Sequence, residues 1–182
     1  MNELEQWFPG SSPIRRPATL LGTVVRGSLS KGLEVNLAAG RIIEGLAVGR
    51  YVVVRGRTDL RFFGMVTDVV LETRNPEVEQ LPPADPESFM AQVYRGTLTY
   101  GRIHVTPMLV LEPNGEVRPA KTVPSHFTHV FDATSEEVAE IFGDVEEKGR
   151  FYIGEPLEME ETRIALDLRR FVERSSGVFG KS

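Results

Sequence analysis

The sequence predicts a mainly-β chain with a few short helices: an α+β fold built on a small closed or partly open antiparallel β-barrel, with a short-helix-containing subdomain. Three observations predict it. Short β-branched stretches recur from Leu20 to Leu71, parted by glycine turns, with no long helical period among them. Leu33-Glu34-Val35-Asn36-Leu37 alternates apolar and polar residues with period two, the mark of a half-buried strand. Apolar stripes at helical spacing are short and come only after residue 85.

The elements follow in order. Residues 1–17 read as an N-terminal tail, because Pro9-Gly10-Ser11-Ser12-Pro13 and Arg15-Arg16-Pro17 are turn and breaker chemistry. Trp7 and Phe8 are large apolar groups for a tail; docking on their own domain is favoured, with a neighbouring subunit as the alternative. Residues 18–75 read as the barrel core. Leu21–Val25 forms a strand ended by Gly27, and Leu33–Leu37 forms the next. Gly40 and Gly45 bracket a connection. Tyr51-Val52-Val53-Val54 is a strand buried on both sides. Gly56–Asp59 turns the chain into a long strand from Leu60 to Leu71, where Gly64 marks a bulge or a sharp coil.

Residues 76–150 read as an α+β insertion or subdomain. Asp85 caps a short helix with Pro86 at its first position and Phe89, Met90 and Val93 on one face. Strands follow at Gly96–Tyr100 and Ile103–Leu111, separated by Gly101, and Pro113-Asn114-Gly115 is a turn. Thr134 and Glu137 form a capping box for a second helix, with Val138, Ile141 and Phe142 as its buried stripe and Gly143 as its stop. Residues 151–182 read as returning strands and a linker: Phe151–Gly154, then Arg163–Leu166, then a helical turn capped by Asp167. Gly177-Val178-Phe179 begins another strand.

Composition narrows the function classes. The chain has 182 residues and no cysteine, which excludes disulfides, thiolate metal sites and thiol catalysis. No apolar run approaches a membrane span, and the acidic N-terminus does not read as a signal peptide, so a cytoplasmic location is expected. Net charge is −5, divided unevenly. Residues 1–75 hold 10 Lys/Arg against 7 Asp/Glu, and residues 76–182 hold 11 against 19. The acidic balance argues against tight, sequence-independent nucleic-acid binding by the whole module.

Three groups of residues invite a chemical reading. Arg50, Arg55, Arg57 and Arg61 make a basic strand-turn-strand that suits DNA phosphates or an acidic partner. The alternative, a solvated strand edge whose charge discourages aggregation, is favoured. His126 and His129 lie three apart, but their β-branched and aromatic neighbours favour an extended segment, where positions i and i+3 face opposite ways. With His104 as the only other histidine, no metal site is predicted. Glu136-Glu137 and Glu146-Glu147 read as capping and solubility, not as an acid–base pair. Gly180-Lys181-Ser182 has the look of a phosphate loop, G-x-x-x-x-G-K-[ST], yet the first glycine of that motif would fall on Ser175. In the other register Gly180 is itself the first glycine, and the decisive Gly-Lys would lie beyond Ser182.

The run Leu166-Asp167-Leu168, Phe171-Val172 and Arg174-Ser175-Ser176-Gly177-Val178-Phe179-Gly180-Lys181-Ser182 resembles the approach to the ATPase core in HerA-type proteins of the HerA/FtsK superfamily. Gly22-Thr23-Val24-Val25-Arg26-Gly27-Ser28-Leu29, Leu33-Glu34-Val35, Gly45, Val48–Val54 and Phe63–Asp68 resemble their N-terminal HAS-barrel, which ATP synthase α and β subunits share. The resemblance covers residues 20–72 and 150–182, and 76–149 only loosely. It implies a non-catalytic assembly and partner-docking module, cut where the phosphate loop begins, from a hexameric ATPase that pumps DNA beside a NurA-type nuclease. On that reading Gly180, Lys181 and Ser182 are an incomplete loop, not competent for nucleotide. This chain takes no cofactor, ATP and Mg serve the full-length protein, and DNA is met only through the full assembly. The phosphate-loop lysine, the magnesium-binding acid and the arginine finger are absent. Two readings from other classes are a free-standing nucleic-acid-binding β-barrel and a small hydrolase using the histidines. The first lacks aromatics interleaved with its bases, and the second lacks a nucleophile–base pair.

Overall fold

A computed structural model describes residues 18–80, 82–97, 99–156, 159, 162–173, 175, 177 and 180. The expected tail 1–17, with Trp7 and Phe8, lies outside the described residues, as do Val178 and Phe179 of the last expected strand.

Alternation sets the first hairpin. β1 (Leu20–Ser28) and β2 (Gly32–Leu37) pair antiparallel and turn Leu21, Val24, Leu33 and Val35 into one interior. β3 (Tyr51–Arg55) and β4 (Arg61–Thr73) make a second hairpin, with Asp59 at φ 57° in its turn. The long β5 (Thr99–Leu111) pairs with β4 along its length and with β2 on its other side. The short β7 (His129–Asp132) lies between β1 and β3. These six strands close into an antiparallel barrel, and β6 (Val117–Pro119) adds a seventh strand on β5. The barrel therefore draws strands from both 18–75 and 76–150.

Closure concentrates bends at small residues. Gly22 sits where β1 leaves β2 for β7, and a Cβ there would lie 2.1 Å from the Asn36 carbonyl oxygen. A bulge does fall at the level of Gly64, but on the partner strand: Phe63 faces Leu109 and Gly64 faces Pro107, leaving Met108 of β5 as the extra residue. That bulge also accommodates a proline within a strand.

Two apolar clusters explain why β3 is buried on both sides. Val52 and Val54 face the interior with Phe62, Val66, Ile103, Val105 and Val130. Val53 faces outward with Phe63 and Leu111, and α3 (Ser135–Phe142) covers them with Val138, Ile141 and Phe142. The capping box is formed as expected: Thr134 Oγ1 accepts from Glu137 N at 3.2 Å, and Thr134 N donates to Glu137 Oε2 at 3.0 Å. β8 (Arg150–Gly154) and β9 (Ile164–Asp167) form a separate two-stranded sheet whose Ile164 packs against the outer cluster. α4 (Leu168–Val172) follows, capped by Asp167, whose Oδ1 accepts from Arg169 N and Arg170 N.

Several expectations are corrected. Residues 76–80, where the sequence predicts no element, form α1 (Pro76–Gln80), with Asn75 Oδ1 accepting from Glu77 N at 3.0 Å. The helix expected from Asp85 begins later, as α2 (Phe89–Thr97). Asp85 instead caps a turn by accepting from Glu87 N, and Ser88 Oγ accepts from Ala91 N. Among the described side chains of α2, Ala91 is buried, while Phe89, Met90 and Val93 are exposed. Gly96 belongs to α2, not to a strand. Gly101 does not separate a pair of strands but lies inside β5, where a Cβ would come within 2.6 Å of Leu37 Cδ1 and 2.7 Å of Ile43 Cδ1. A glycine that reads as a break is a clearance for neighbouring side chains.

Candidate functional site

The basic strand-turn-strand lies beside α3, and the two are complementary in charge. β3 and β4 run antiparallel with Arg55 opposite Arg61, at the end of the hairpin nearest Glu137 and Glu140. Arg61 donates to both oxygens of Glu140, Nη1 to Oε2 at 2.8 Å and Nη2 to Oε1 at 2.5 Å. This two-point contact pushes the Arg61 guanidinium up from its ordinary value and holds its plane fixed. Arg55 Nη2 lies 3.7 Å from Glu137 Oε1, and its guanidinium stacks 4.6 Å above the Phe131 ring. Glu137 is buried because it serves the helix cap as well as Arg55.

Arg50 points the other way. Its Nε is 2.6 Å from Asp132 Oδ1, and its Nη1 donates to the Gly45 carbonyl at 3.0 Å. Arg41 approaches the same carboxylate, Nη2 to Oδ2 at 3.8 Å, and its Nε donates to the Leu20 carbonyl. Arg41 Nη2 and Asp132 Oδ1 are both shut off from solvent without an aligned hydrogen bond, so attraction there is ionic and not directional. Asp132→Ala is expected to lower stability by about 2 kcal/mol, since it takes the shared carboxylate from two half-buried guanidinium groups. Urea denaturation measures it, and a loss under about 0.5 kcal/mol would contradict the assignment. Of the four predicted arginines, only Arg57, exposed in the β3–β4 turn, makes no ion pair among the described residues.

The predicted histidines do not converge. His126 and His129 are exposed, and His104 lies half-buried on β5. His129 Nδ1 is 3.5 Å from Thr23 Oγ1. Among the described residues no three His, Asp or Glu groups are placed to hold a metal ion. A Cβ on Gly180 would meet no atom within 4 Å, and Lys181 and Ser182 lie outside the described residues. A cleft of about 240 Å³ beside α3 is lined by Ser135, Ala139, Asp144, Glu146, Thr162 and Arg163. It brings no histidine to Ser135, whose hydroxyl shares a 2.7 Å hydrogen bond with Thr162.

A second polar cluster was not foreseen. On the outer face of β2, β5 and β4, Arg102 Nη1 reaches Glu34 at 2.6 Å and Glu72 at 3.3 Å, and Arg26 reaches Glu34 at 2.7 Å. Hydrogen bonding to Arg26 pulls the Glu34 carboxyl below its usual range. Arg74 and Arg102 lie 5.5 Å and 5.6 Å from the centre of the Tyr100 ring. The signal available in sequence was the outward half of the alternation, Glu34 and Asn36, but only strand pairing supplies Arg102 as their neighbour. No helix of the described residues is long and apolar enough to cross a membrane. No protein-family model matches this chain, and no curated protein matches it.

Proposed function

We propose that this chain is a non-catalytic, cytoplasmic assembly and partner-docking module: the N-terminal barrel region of a HerA-like DNA-translocating ATPase of DNA end processing. The observation that favours docking over direct DNA contact in this reading is the fate of the basic edge. Arg50, Arg55 and Arg61 are held by Asp132, Glu137 and Glu140 of the same chain, so the feature best suited to DNA phosphates is neutralised within the fold. The HerA-like identity rests on the resemblance at residues 20–72 and 150–182.

In the full-length protein, ATP and Mg act in the ATPase core. That protein self-associates as a hexameric ring, and a NurA-type nuclease docks on the barrel. Calorimetry tests the reading. Titration of this chain with ATP and Mg is expected to give no saturable heat, because a complete phosphate loop is lacking. Titration with the NurA-type nuclease of the same genome is expected to saturate in the micromolar range. Micromolar ATP binding, or no heat with the nuclease, overturns it.

A further inference from the structure

Pro113-Asn114-Gly115, which the sequence marks as a turn, is the loop between β5 and β6, with Gly115 at φ 82°. Asn114 and Gly115 are both exposed, and a Cβ on Gly115 would meet nothing within 4 Å. Glu116 N donates to Asn114 Oδ1 at 2.9 Å. Gly115 N donates to the Glu112 carbonyl, and Glu112 N to the Glu116 carbonyl, each at 2.9 Å. Arg118 fastens the loop from outside. Its Nε and Nη2 donate to the two Glu116 carboxylate oxygens at 2.9 and 2.7 Å, and its Nη1 lies 3.3 Å from Glu112 Oε1.

We propose that Asn114 is a self-modification site, converted without an enzyme to aspartate and isoaspartate, and that the Arg118 clamp sets the rate. The side-chain amide of asparagine is thermolabile, because the backbone nitrogen of the next residue can attack it. Hydroxide takes the Gly115 N–H proton, and that nitrogen forms a bond to Asn114 Cγ. The Cγ–Nδ2 bond breaks, and Nδ2 leaves as ammonia with a proton from water. Water then opens the five-membered imide at one of its two carbonyls, giving aspartate or isoaspartate. One water is consumed and one ammonia released, with no change of oxidation state. Glycine puts no side chain beside the attacking nitrogen. The Glu116 N–H on Asn114 Oδ1 stabilises the negative charge that gathers there during the attack. The hydrogen bond from Gly115 N to Glu112 is the brake, since the nitrogen must leave it to attack, and the Arg118 fork holds the loop closed around it.

The other asparagines lack this combination. Asn75 precedes Pro76, whose nitrogen has no hydrogen to lose. Asn36 precedes Leu37 and is paired on both sides, with Thr23 of β1 and Arg102 of β5. Asn2 precedes Glu3, whose side chain crowds the nitrogen. In isoaspartate the main chain runs through Cβ and is one atom longer, inside the loop that holds β6 on β5. Conversion therefore loosens an outer strand and leaves the closure of β2 on β5 untouched.

Tryptic peptide 103–121 reports the site, because Pro119 protects the Arg118 bond from cleavage and Asn114 is its only side-chain amide. The folded full chain is aged in mildly alkaline buffer and compared by mass spectrometry with an unaged sample. This peptide is expected to give two products of equal mass, each one mass unit heavier, of which one accepts a methyl group from an isoaspartyl methyltransferase. The peptides bearing Asn36 and Asn75 are expected to stay unchanged over the same time. Arg118→Ala, in chains that circular dichroism shows to be folded, is expected to convert about two- to tenfold faster, the change in loop opening that one hydrogen-bonded contact controls. Glu112→Ala releases the clamp from its other end and is expected to move the rate the same way. Conversion at Asn114 only after unfolding in urea, or no faster than at Asn36, overturns the site. A rate unchanged in both clamp variants overturns the role assigned to Arg118.

Discussion

Phe63→Ala is expected to lower the unfolding free energy by about 3–5 kcal/mol, the range for deleting a fully buried aromatic side chain. Among the described residues Phe63 is the largest side chain with no exposure at all. Its ring centre lies 4.9 Å from Tyr51 and 6.4 Å from Phe142, so one side chain joins β3, β4 and α3. The loss combines the transfer of the ring from water with the cavity left between a rigid barrel wall and a helix. Urea denaturation followed by circular dichroism gives the midpoint shift. A change under about 1 kcal/mol would mean that α3 collapses onto β4 without the ring, against the packing described here.

Gly22→Ala is expected to be nearly as damaging, by about 3 kcal/mol or more, at the top of the range for overpacking. The obstacle is not a side chain that can turn away. The nearest atoms are the Asn36 carbonyl oxygen at 2.1 Å and carbonyl carbon at 2.9 Å. Relief requires β1 to move off β2, at the position where β1 also meets β7. Gly45→Ala is the control. Nothing lies within 4 Å of a Cβ there, and the expected change is within about 0.5 kcal/mol. If the two variants melt alike, barrel closure at Gly22 is not as tight as described.

How much of this was legible in sequence depends on the range of the interaction. Period-two alternation at Leu33–Leu37, the β-branched run at Val52–Val54 and the capping box at Thr134 are local signals, and each element forms where its signal lies. The irregularity at Gly64 was legible for the same reason, as a glycine interrupting a long apolar strand, but not that its extra residue lies on β5. What failed was non-local. Gly101 has the chemistry of a break, and only the approach of Leu37 and Ile43 makes it a strand residue. Phe89, Met90 and Val93 have the spacing of a buried face, yet all of them are exposed. The arginines at 50, 55 and 61 could be found in the sequence, but their partners could not. Asp132, Glu137 and Glu140 lie more than seventy residues further on. The favoured reading of a solvated edge missed those ion pairs, because pairing across such a distance is decided by the barrel.

The central claim is that the basic edge of this barrel holds its own fold and does not grip DNA. Fluorescence anisotropy with a labelled oligonucleotide, single- and double-stranded, at several salt concentrations tests it most directly. Charge from residues 76–182 opposes binding, and among the four arginines Arg57 alone makes no ion pair among the described residues. The account predicts no affinity tighter than about 100 μM at physiological salt, the weak end of non-specific binding. Low-micromolar affinity at about 150 mM salt, lost on replacing Arg55, Arg57 and Arg61 by Ala in a variant that still folds, would contradict it.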